Sequence, residues 1–537
     1  MTSESRSKLA LSTSAQSLVL AISVGLLAFG SYLWQLTEPF YLQMYDSGVY
    51  TAAAMHLVSG QLPYRDFVFV QPPGILLIMS PVALFCRVFG SHDGFILARV
   101  MSAFVTALDV SLLAWLVRRS GRIAMLIAGC GLALTPVAVF FSSGVRLEPY
   151  CICLVLLGSL TIFSSRGTRG KVTSRRLAVG GLLFGLAALV EFWAVFPFIA
   201  LVICLVPRYR SRVFVFIGAA GGALAVLALP FLLSSPKNFV SEVFLEQLSR
   251  PGGSESILWR VTDMTGFSAT SVAPTSKEAL VAFVVFILVV AWAFYRRFKF
   301  EDVDTFLLLA ALITVLGLLA APTAYTDYSY FAQPFLFGLL GICIARLGPL
   351  TRRLSDRVSP STALRTFVSY VGVLSGALLI VALVLYVTTF YSVKERLFGT
   401  SAEGIAQVTS RIPAGTCVVY FEAGVGVLAN RLLSKNPHCP DIVDPFGMSM
   451  AWGYEVAAPA PTFVAEWKSF FAAAQFVVLK GPVSGSLFAN ASYSYAYLIP
   501  WNRNFTTWFS NNFHLVSGQS AFYIYEKNPK YGTDPKI

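Results

Sequence analysis

The sequence predicts an all-α polytopic membrane protein of about eleven transmembrane helices with a C-terminal α/β extracytoplasmic domain. Apolar residues make up 56% of the chain and charged residues only 12%, and the mean hydropathy is +0.69. A soluble domain carries about 25% charged residues. A chain this poor in charge cannot cover itself with polar surface, so the bilayer is the solvent for most of it. Long apolar runs alternate with short basic clusters up to residue 391, and the pattern is lost beyond it.

Arg6 and Lys8 precede the first apolar run, Leu18 to Trp34, which is long for a signal sequence and lacks a small-residue cleavage site; it reads as a retained first helix. Gly74 to Phe89 is short for a span and contains Pro81 and Arg87, so it reads as a helix lying at the membrane interface. With that run left out, residues 37–95 form a large outside loop, and every dense basic cluster falls on one side. Helix 2 (96–117) runs in to Arg118, Arg119 and Arg122; helix 3 (123–141) returns; helix 4 (150–164) meets Arg166, Arg169, Lys171, Arg175 and Arg176. Residues 177–206 read as a tight hairpin with Glu191 at its outer tip, ending at Arg208, Arg210 and Arg212. Helix 7 (213–233) leads to a second outside loop, 234–277. Helices at 278–295, 305–321, the run before Arg346, and 366–390 complete the set and leave 392–537 outside. The N-terminus is then cytoplasmic in an inner (plasma) membrane. Residues 1–391 form the transmembrane domain and 392–537 an extracytoplasmic one. In that tail Cys417–Phe421, Phe476–Leu479 and Phe522–Tyr525 read as short strands, and Val427–Leu433 and Phe463–Ala474 as helices.

The net charge of +13 is the positive-inside signature of cytoplasmic loops; with no nucleic-acid motif present, no nucleic-acid partner is expected. Six of eight cysteines lie in or beside apolar runs, where cysteine acts as a small hydrophobe. Only Cys417 and Cys439 fall in the tail, where an extracytoplasmic location would let them pair. The four histidines are scattered and show no metal-ligand spacing.

The polar residues of so apolar a chain gather in its outside loops. The first loop carries Tyr45, Asp46, Ser47 and Gly48, an amphipathic stretch, then Tyr64-Arg65-Asp66 and Gln71-Pro72-Pro73-Gly74. Others carry Arg146 and Glu148, Glu191, then Glu242, Glu246, Arg250 and Arg260, and finally Tyr325, Asp327 and Tyr328. An acidic residue just after the first helix, an amphipathic helix and a Pro-Pro step into the membrane together resemble the layout of the C-type (GT-C) glycosyltransferases. The branch most similar contains protein O-mannosyltransferases, lipid A aminoarabinose transferases and actinobacterial mannosyl- and arabinosyltransferases. The resemblance covers the membrane half and is strongest over residues 40–150.

The resemblance implies transfer of a sugar, mannose or arabinose, from a polyprenyl-phosphate carrier in the membrane lipid to a hydroxyl of a glycan, glycolipid or protein acceptor, in cell-envelope synthesis. It places the family's essential acid on Asp46 as general base. One base and a single displacement imply inversion, unlike the paired carboxylates of hydrolases. Arg65, Arg146, Arg250 and Arg260 are the candidates for the leaving phosphate, because a guanidinium fork binds phosphate oxygens in pairs. Gln71 stands where the aminoarabinose transferases have Lys, which shifts weight to the arginines. Asp66, Glu148, Glu191, Asp327 and Tyr328 are further candidate substrate contacts. Some members use a divalent cation, which Asp46 or Glu148 would touch; no other cofactor is implied. Structural roles compete with each assignment: a helix N-cap for Asp46, a local ion pair for Arg65 and Asp66, an interface anchor for Tyr328, and a buried contact for Asp109. A flippase for lipid-linked intermediates and a non-catalytic scaffold are the rival functions; a flippase would gather its polar groups at the midplane.

Overall fold

The computed structural model describes residues 13–34, 36, 45–163, 172–250, 256–264, 301–358, 401–451, 461–483, 499–518 and 522–529. The helices expected at 278–295 and 366–390 lie outside these residues. The chain divides into two compact units. One contains residues 1–37, 101–225 and 252–394; the other contains 38–100, 226–251 and 395–537.

In the described residues of the first unit the elements are helical. They are α1 (Thr13–Trp34), the greater part of α4 (Ser91–Leu116), α5 (Arg122–Ala133), α6 (Pro136–Phe141), α7 (Leu147–Phe163), α8 (Ser174–Val190), α9 (Val195–Tyr209) and most of α10 (Val213–Ser234). After them come α13 (Ile257–Asp263), α14 (Asp302–Ala320) and α15 (Ser329–Val358). Among the described residues, five apolar stretches are long enough to cross a membrane by length and composition: Ser14–Trp34, Ser91–Leu116, Phe192–Ser234, Asp302–Ala320 and Thr326–Arg346. This is a membrane protein. A turn at Arg210, in the left-handed region at φ 43, separates α9 from α10 within the third stretch. The stretch expected as a single helix over 123–141 is two, because Pro136 lacks the N–H that would continue the ladder. Small residues let these helices approach closely. A Cβ on Gly181 would meet the Phe216 carbonyl oxygen at 2.2 Å, and one on Gly185 that of Ala220 at 2.3 Å.

The second unit joins the first loop, the 226–251 segment and the tail. Its first elements are α2 (Tyr45–Val58) and α3 (Gly74–Phe89). The stretch expected to be amphipathic is instead buried without interruption from Ser47 to His56. α3 keeps Leu84, Val88 and Phe89 exposed, an apolar face suited to lipid. The 226–251 segment supplies α11 (Pro236–Val240), a π turn over Ser241–Leu245 and α12 (Glu246–Ser249).

The tail is α/β. Its helices are α16 (Ser401–Arg411), α17 (Ala423–Leu428), α18 (Pro445–Ala451), α19 (Pro461–Ala473) and α20 (Arg503–Asn512). Its four-stranded sheet has the order β1-β2-β4-β3, from β1 (Val418–Tyr420), β2 (Phe476–Leu479), β3 (Phe513–Ser517) and β4 (Tyr523–Lys527). β1 and β2 are parallel, in register at Val419↔Val477, and α19 makes the crossover that parallel strands require. β4 runs antiparallel to both β2 and β3. Trp467, Phe471, Phe505 and Phe509 fill the core beneath the sheet. The three expected strands are present, and β3 is additional. The helix expected at Val427–Leu433 is displaced to Ala423–Leu428; it stops because Asn430 takes the left-handed conformation at φ 54. Cys417 and Cys439 form a disulfide.

Candidate functional site

The candidate residues fall into two groups, one in each compact unit. In the unit containing the tail, Asp46 stands in the first turn of α2, half-buried, where the positive end of the helix dipole favours a carboxylate. It is inside the helix rather than at the N-cap position that the structural alternative offered. Its neighbours fix that turn. Tyr45 donates from its hydroxyl to Asp444 Oδ1 at 2.8 Å and accepts from the Phe446 backbone N–H at 2.8 Å. Asp444 Oδ1 also accepts from the Gly447 N–H at 2.8 Å. Gly48 meets Gly424 so closely that a Cβ on Gly48 would lie 2.6 Å from both Cα and N of Gly424. Only a pair of glycines permits this approach of two backbones.

The electrostatics around Asp46 come from buried carboxyls. Burial raises the Asp444 carboxyl to about 6, with Asp46 and Glu246 adding to the rise. Burial likewise raises Glu422 to about 8, against the pull of Lys480 and with a push from Asp46. Burial also lifts the Tyr45 hydroxyl well above its ordinary value, assisted by the Asp444 charge, so it stays a hydrogen-bond donor.

The rest of the first loop is held by an unusual tyrosine. Tyr64 adopts φ 67, a strained conformation for a bulky residue, and is almost fully buried. Its N–H donates to the Phe67 carbonyl at 2.9 Å, its hydroxyl to the Gln71 carbonyl at 2.7 Å, and its own carbonyl accepts from Asn238 Nδ2 at 2.8 Å. Phe69, Phe231 and Phe239 surround the ring. Glu242 accepts from the Phe69 N–H at 2.9 Å and Gln247 donates to the Val70 carbonyl at 2.9 Å, so the 234–250 segment clamps residues 69 and 70. Gln71 thus enters the structure through its backbone carbonyl. Arg65 forks onto Asp66 at 2.9 and 2.7 Å near the surface, and this bond lowers the Asp66 carboxyl. Arg250 forks onto Glu246 at 3.0 and 3.3 Å, with both side chains largely buried. His56 contacts Gln61 at 2.5 Å and Asp441 at 3.4 Å.

In the other unit the structure brings together Arg146, Glu148, Glu191 and Asp327. Arg146 pairs with Asp327 at 3.2 Å, and Glu148 interacts electrostatically with Asp327, Arg146 and Glu191. Glu148 is 5% and Glu191 8% exposed. Glu191 falls in the extended break between α8 and α9, where the hairpin tip was expected. Tyr328 packs edge-on against Trp193 and Tyr325. Arg260 spends its guanidinium on the carbonyls that end α14, those of Leu319, Ala321 and Pro322. Tyr330 donates to Asp109 at 3.1 Å, a buried contact between helices.

Among the described residues no group of three or more His, Cys, Asp or Glu side chains is arranged to hold a metal ion. Sequence reasoning missed Tyr45, Tyr64, Glu422 and Asp444. The first two stood in the quoted motifs but carry no charge; the last two lie in the tail, far along the chain from Asp46.

No protein-family model matches the chain, and no curated protein matches it in sequence. Solved structures do. The chain is similar to ArnT from Cupriavidus metallidurans bound to undecaprenyl phosphate, with 13% identity and a TM-score of 0.60, over 96% of this chain and 99% of that one. The apo form of the same protein aligns with a TM-score of 0.59 and 13% identity, over 97% of this chain and 100% of that one. The archaeal oligosaccharyltransferase AglB from Archaeoglobus fulgidus, in complex with an inhibitory peptide and a dolichol-phosphate, aligns with a TM-score of 0.52 and 12% identity, over 96% of this chain and 75% of that one.

Proposed function

On the GT-C glycosyltransferase fold, which this chain has, we propose that it is an inverting transferase moving a sugar from a polyprenyl-phosphate carrier to an acceptor hydroxyl. The observation that carries the reading is the seat of Asp46. An acid at the family's position in the first loop is held by Tyr45 on one side and by the Gly48–Gly424 contact on the other. Such rigidity suits a group that must meet one proton in one direction.

Asp46 takes the proton of the attacking hydroxyl. The acceptor oxygen bonds to the anomeric carbon from the face opposite the carrier, the bond from that carbon to the phosphate oxygen breaks, and its electrons leave with the polyprenyl phosphate. One displacement inverts the configuration. The phosphate gains charge as it leaves, and a guanidinium already oriented by a carboxylate is a prepared partner for it. Arg146, set by Asp327, and Arg250, set by Glu246, are both of this kind; Arg65 and Arg260 are more committed, to a surface pair and to a helix end.

The finer assignments rest on the sequence. Mannose or arabinose is the sugar, a cell-envelope glycan, glycolipid or protein the acceptor, and the protein lies in the inner (plasma) membrane with about eleven crossings. The N-terminus is cytoplasmic, and residues 392–537 form the extracytoplasmic domain, where the Cys417–Cys439 disulfide suits an oxidising compartment. Membranes containing the wild-type protein, supplied in parallel with radiolabelled polyprenyl-phosphate mannose and arabinose, test this directly. Transfer with inverted anomeric configuration supports the reading and names the sugar; transfer with retention refutes the single displacement. Transfer from neither donor moves the weight to a carrier of lipid-linked intermediates.

A further inference from the structure

We propose that Glu422 is a second substrate-facing carboxyl of the transfer site and holds a sugar hydroxyl next to the one that Asp46 deprotonates. This rests on the transferase reading above and adds to it a residue of the tail.

The position of Glu422 follows from the sheet. The N–H of Phe421 extends the pairing of β1 with β2 by donating to the Val478 carbonyl at 3.0 Å, and the chain then leaves the sheet at Glu422. Lys480 leaves β2 at the same end. Ligand crevices in open sheets form at the carboxyl ends of parallel strands. The Gly48–Gly424 contact brings the first turn of α2 to this end. Glu422 Oε1 lies 3.6 Å from where a Cβ on Gly424 would stand, so the carboxyl is turned toward that contact, two residues from Asp46.

Its surroundings do not account for it as a structural group. Glu422 is 2% exposed. It precedes α17 yet makes no side-chain cap bond, and the Val425 N–H is taken by the Glu422 backbone carbonyl instead. No hydrogen bond joins its carboxyl to any described residue. Its carboxyl is opposed by Lys480 through space alone, and a hydrogen bond to a ligand hydroxyl would satisfy it more fully. Asp46 is half-buried and Lys480 exposed, and both interact electrostatically with Glu422.

Among the described residues, the charged groups that act on Glu422 are Lys480 from the end of β2 and Asp46 from α2. Burial outweighs the pull of Lys480, Asp46 adds to the rise, and the carboxyl reaches about 8. At neutral pH the group is therefore a carboxylic acid, able to donate to a hydroxyl oxygen. Two carboxyls of one site take two roles because their environments differ.

The test uses the full-length protein in nanodiscs, the polyprenyl-phosphate sugar that the wild type accepts, and octyl mannoside or octyl arabinofuranoside as acceptor probe. E422A is expected to lower kcat/KM by about tenfold or more, the worth of one well-placed hydrogen bond. E422Q, which keeps a neutral donor, is expected to recover to within about threefold of wild type and to remove the decline in transfer between pH 7 and 9. A rise confined to the acceptor KM assigns the hydroxyl to the acceptor; a rise in the donor KM assigns it to the donor sugar. E422A indistinguishable from wild type, or E422Q as impaired as E422A, overturns the proposal. A separate readout needs no transfer: dicyclohexylcarbodiimide reacts with protonated carboxyls in apolar surroundings. It is expected to label Glu422 at pH 7, and absence of label contradicts the assignment. If the wild type transfers nothing, the transferase reading fails while the labelling still decides the state of Glu422.

Discussion

The Tyr45 hydroxyl donates a 2.8 Å hydrogen bond to Asp444 Oδ1 across 399 positions of sequence. The Tyr45 hydroxyl oxygen in turn accepts from the Phe446 N–H, so one phenol joins the residue before the candidate base to the start of α18. Tyr45→Phe removes both bonds and leaves the ring. The Phe446 N–H and the Asp444 carboxyl then lose a partner in a buried site, at a cost of about 1–3 kcal/mol. The expected result is a lower kcat with donor KM unchanged and no further loss when the change is combined with Asp46→Asn. An additive loss in the double variant would show that Tyr45 acts independently of Asp46.

Gly48→Ala places a methyl group 2.6 Å from the Gly424 backbone. Backbone cannot yield as a flexible side chain does, so the two segments must separate, costing about 1–3 kcal/mol. Hydrogen exchange should quicken in the first turn of α2 and in residues 423–428 together, with a lower Tm. Unchanged exchange at both places would mean that the contact does not hold the helix.

Stability should fall as pH rises through the neutral range. Burial raises Glu422 and Glu242 from 4.5 to about 8, and Asp444 from 3.8 to about 6. Between each pair of values the folded protein binds more protons than the unfolded chain, so raising the pH favours unfolding. For Glu422 and Glu242 the decline spans about pH 4.5 to 8, and for Asp444 about pH 4 to 6. Thermal unfolding from pH 5 to 9 measures it. Glu422→Gln should flatten the upper part of the curve; a curve that rises toward pH 9 in the wild type would contradict the burial argument.

The disulfide between Cys417 and Cys439 closes a loop with a sequence separation of 22. It ties the start of β1 to the segment that carries Asp441 and Asp444. The chain-entropy relation gives about 3 kcal/mol for a loop of this length. Reductant should lower the Tm of the wild type and leave a Cys417→Ser/Cys439→Ser double variant unchanged.

What could be read from the sequence divides along physical lines. Helices with long apolar runs between basic clusters were legible because hydropathy and charge are local properties, and the break at Glu191 was legible because a carboxylate interrupts such a run. Asp46, Arg146 and Glu148 stood out as charges in an apolar chain. Asp444 and Glu422 did not, because polar residues are ordinary in a soluble tail; only the folded chain reveals that these two are buried beside α2. The left-handed Tyr64 has no local signal, since glycine or asparagine is what such a conformation favours. β3 escaped notice because its His514 and Leu515 are exposed and its face pattern is irregular. α2 was expected to be amphipathic and is buried around its circumference, because loop and tail segments cover the face that sequence periodicity assigned to solvent.

Asp46 is the proposed base of the sugar transfer. Wild-type protein and Asp46→Asn, matched in expression and in Tm, would be compared for transfer from the radiolabelled polyprenyl-phosphate sugar that the wild type accepts. Loss of a general base costs about 10²–10⁴-fold. If Asp46 is the base, Asp46→Asn lowers kcat by that factor with donor binding retained; transfer by Asp46→Asn within a few-fold of wild type would contradict the assignment.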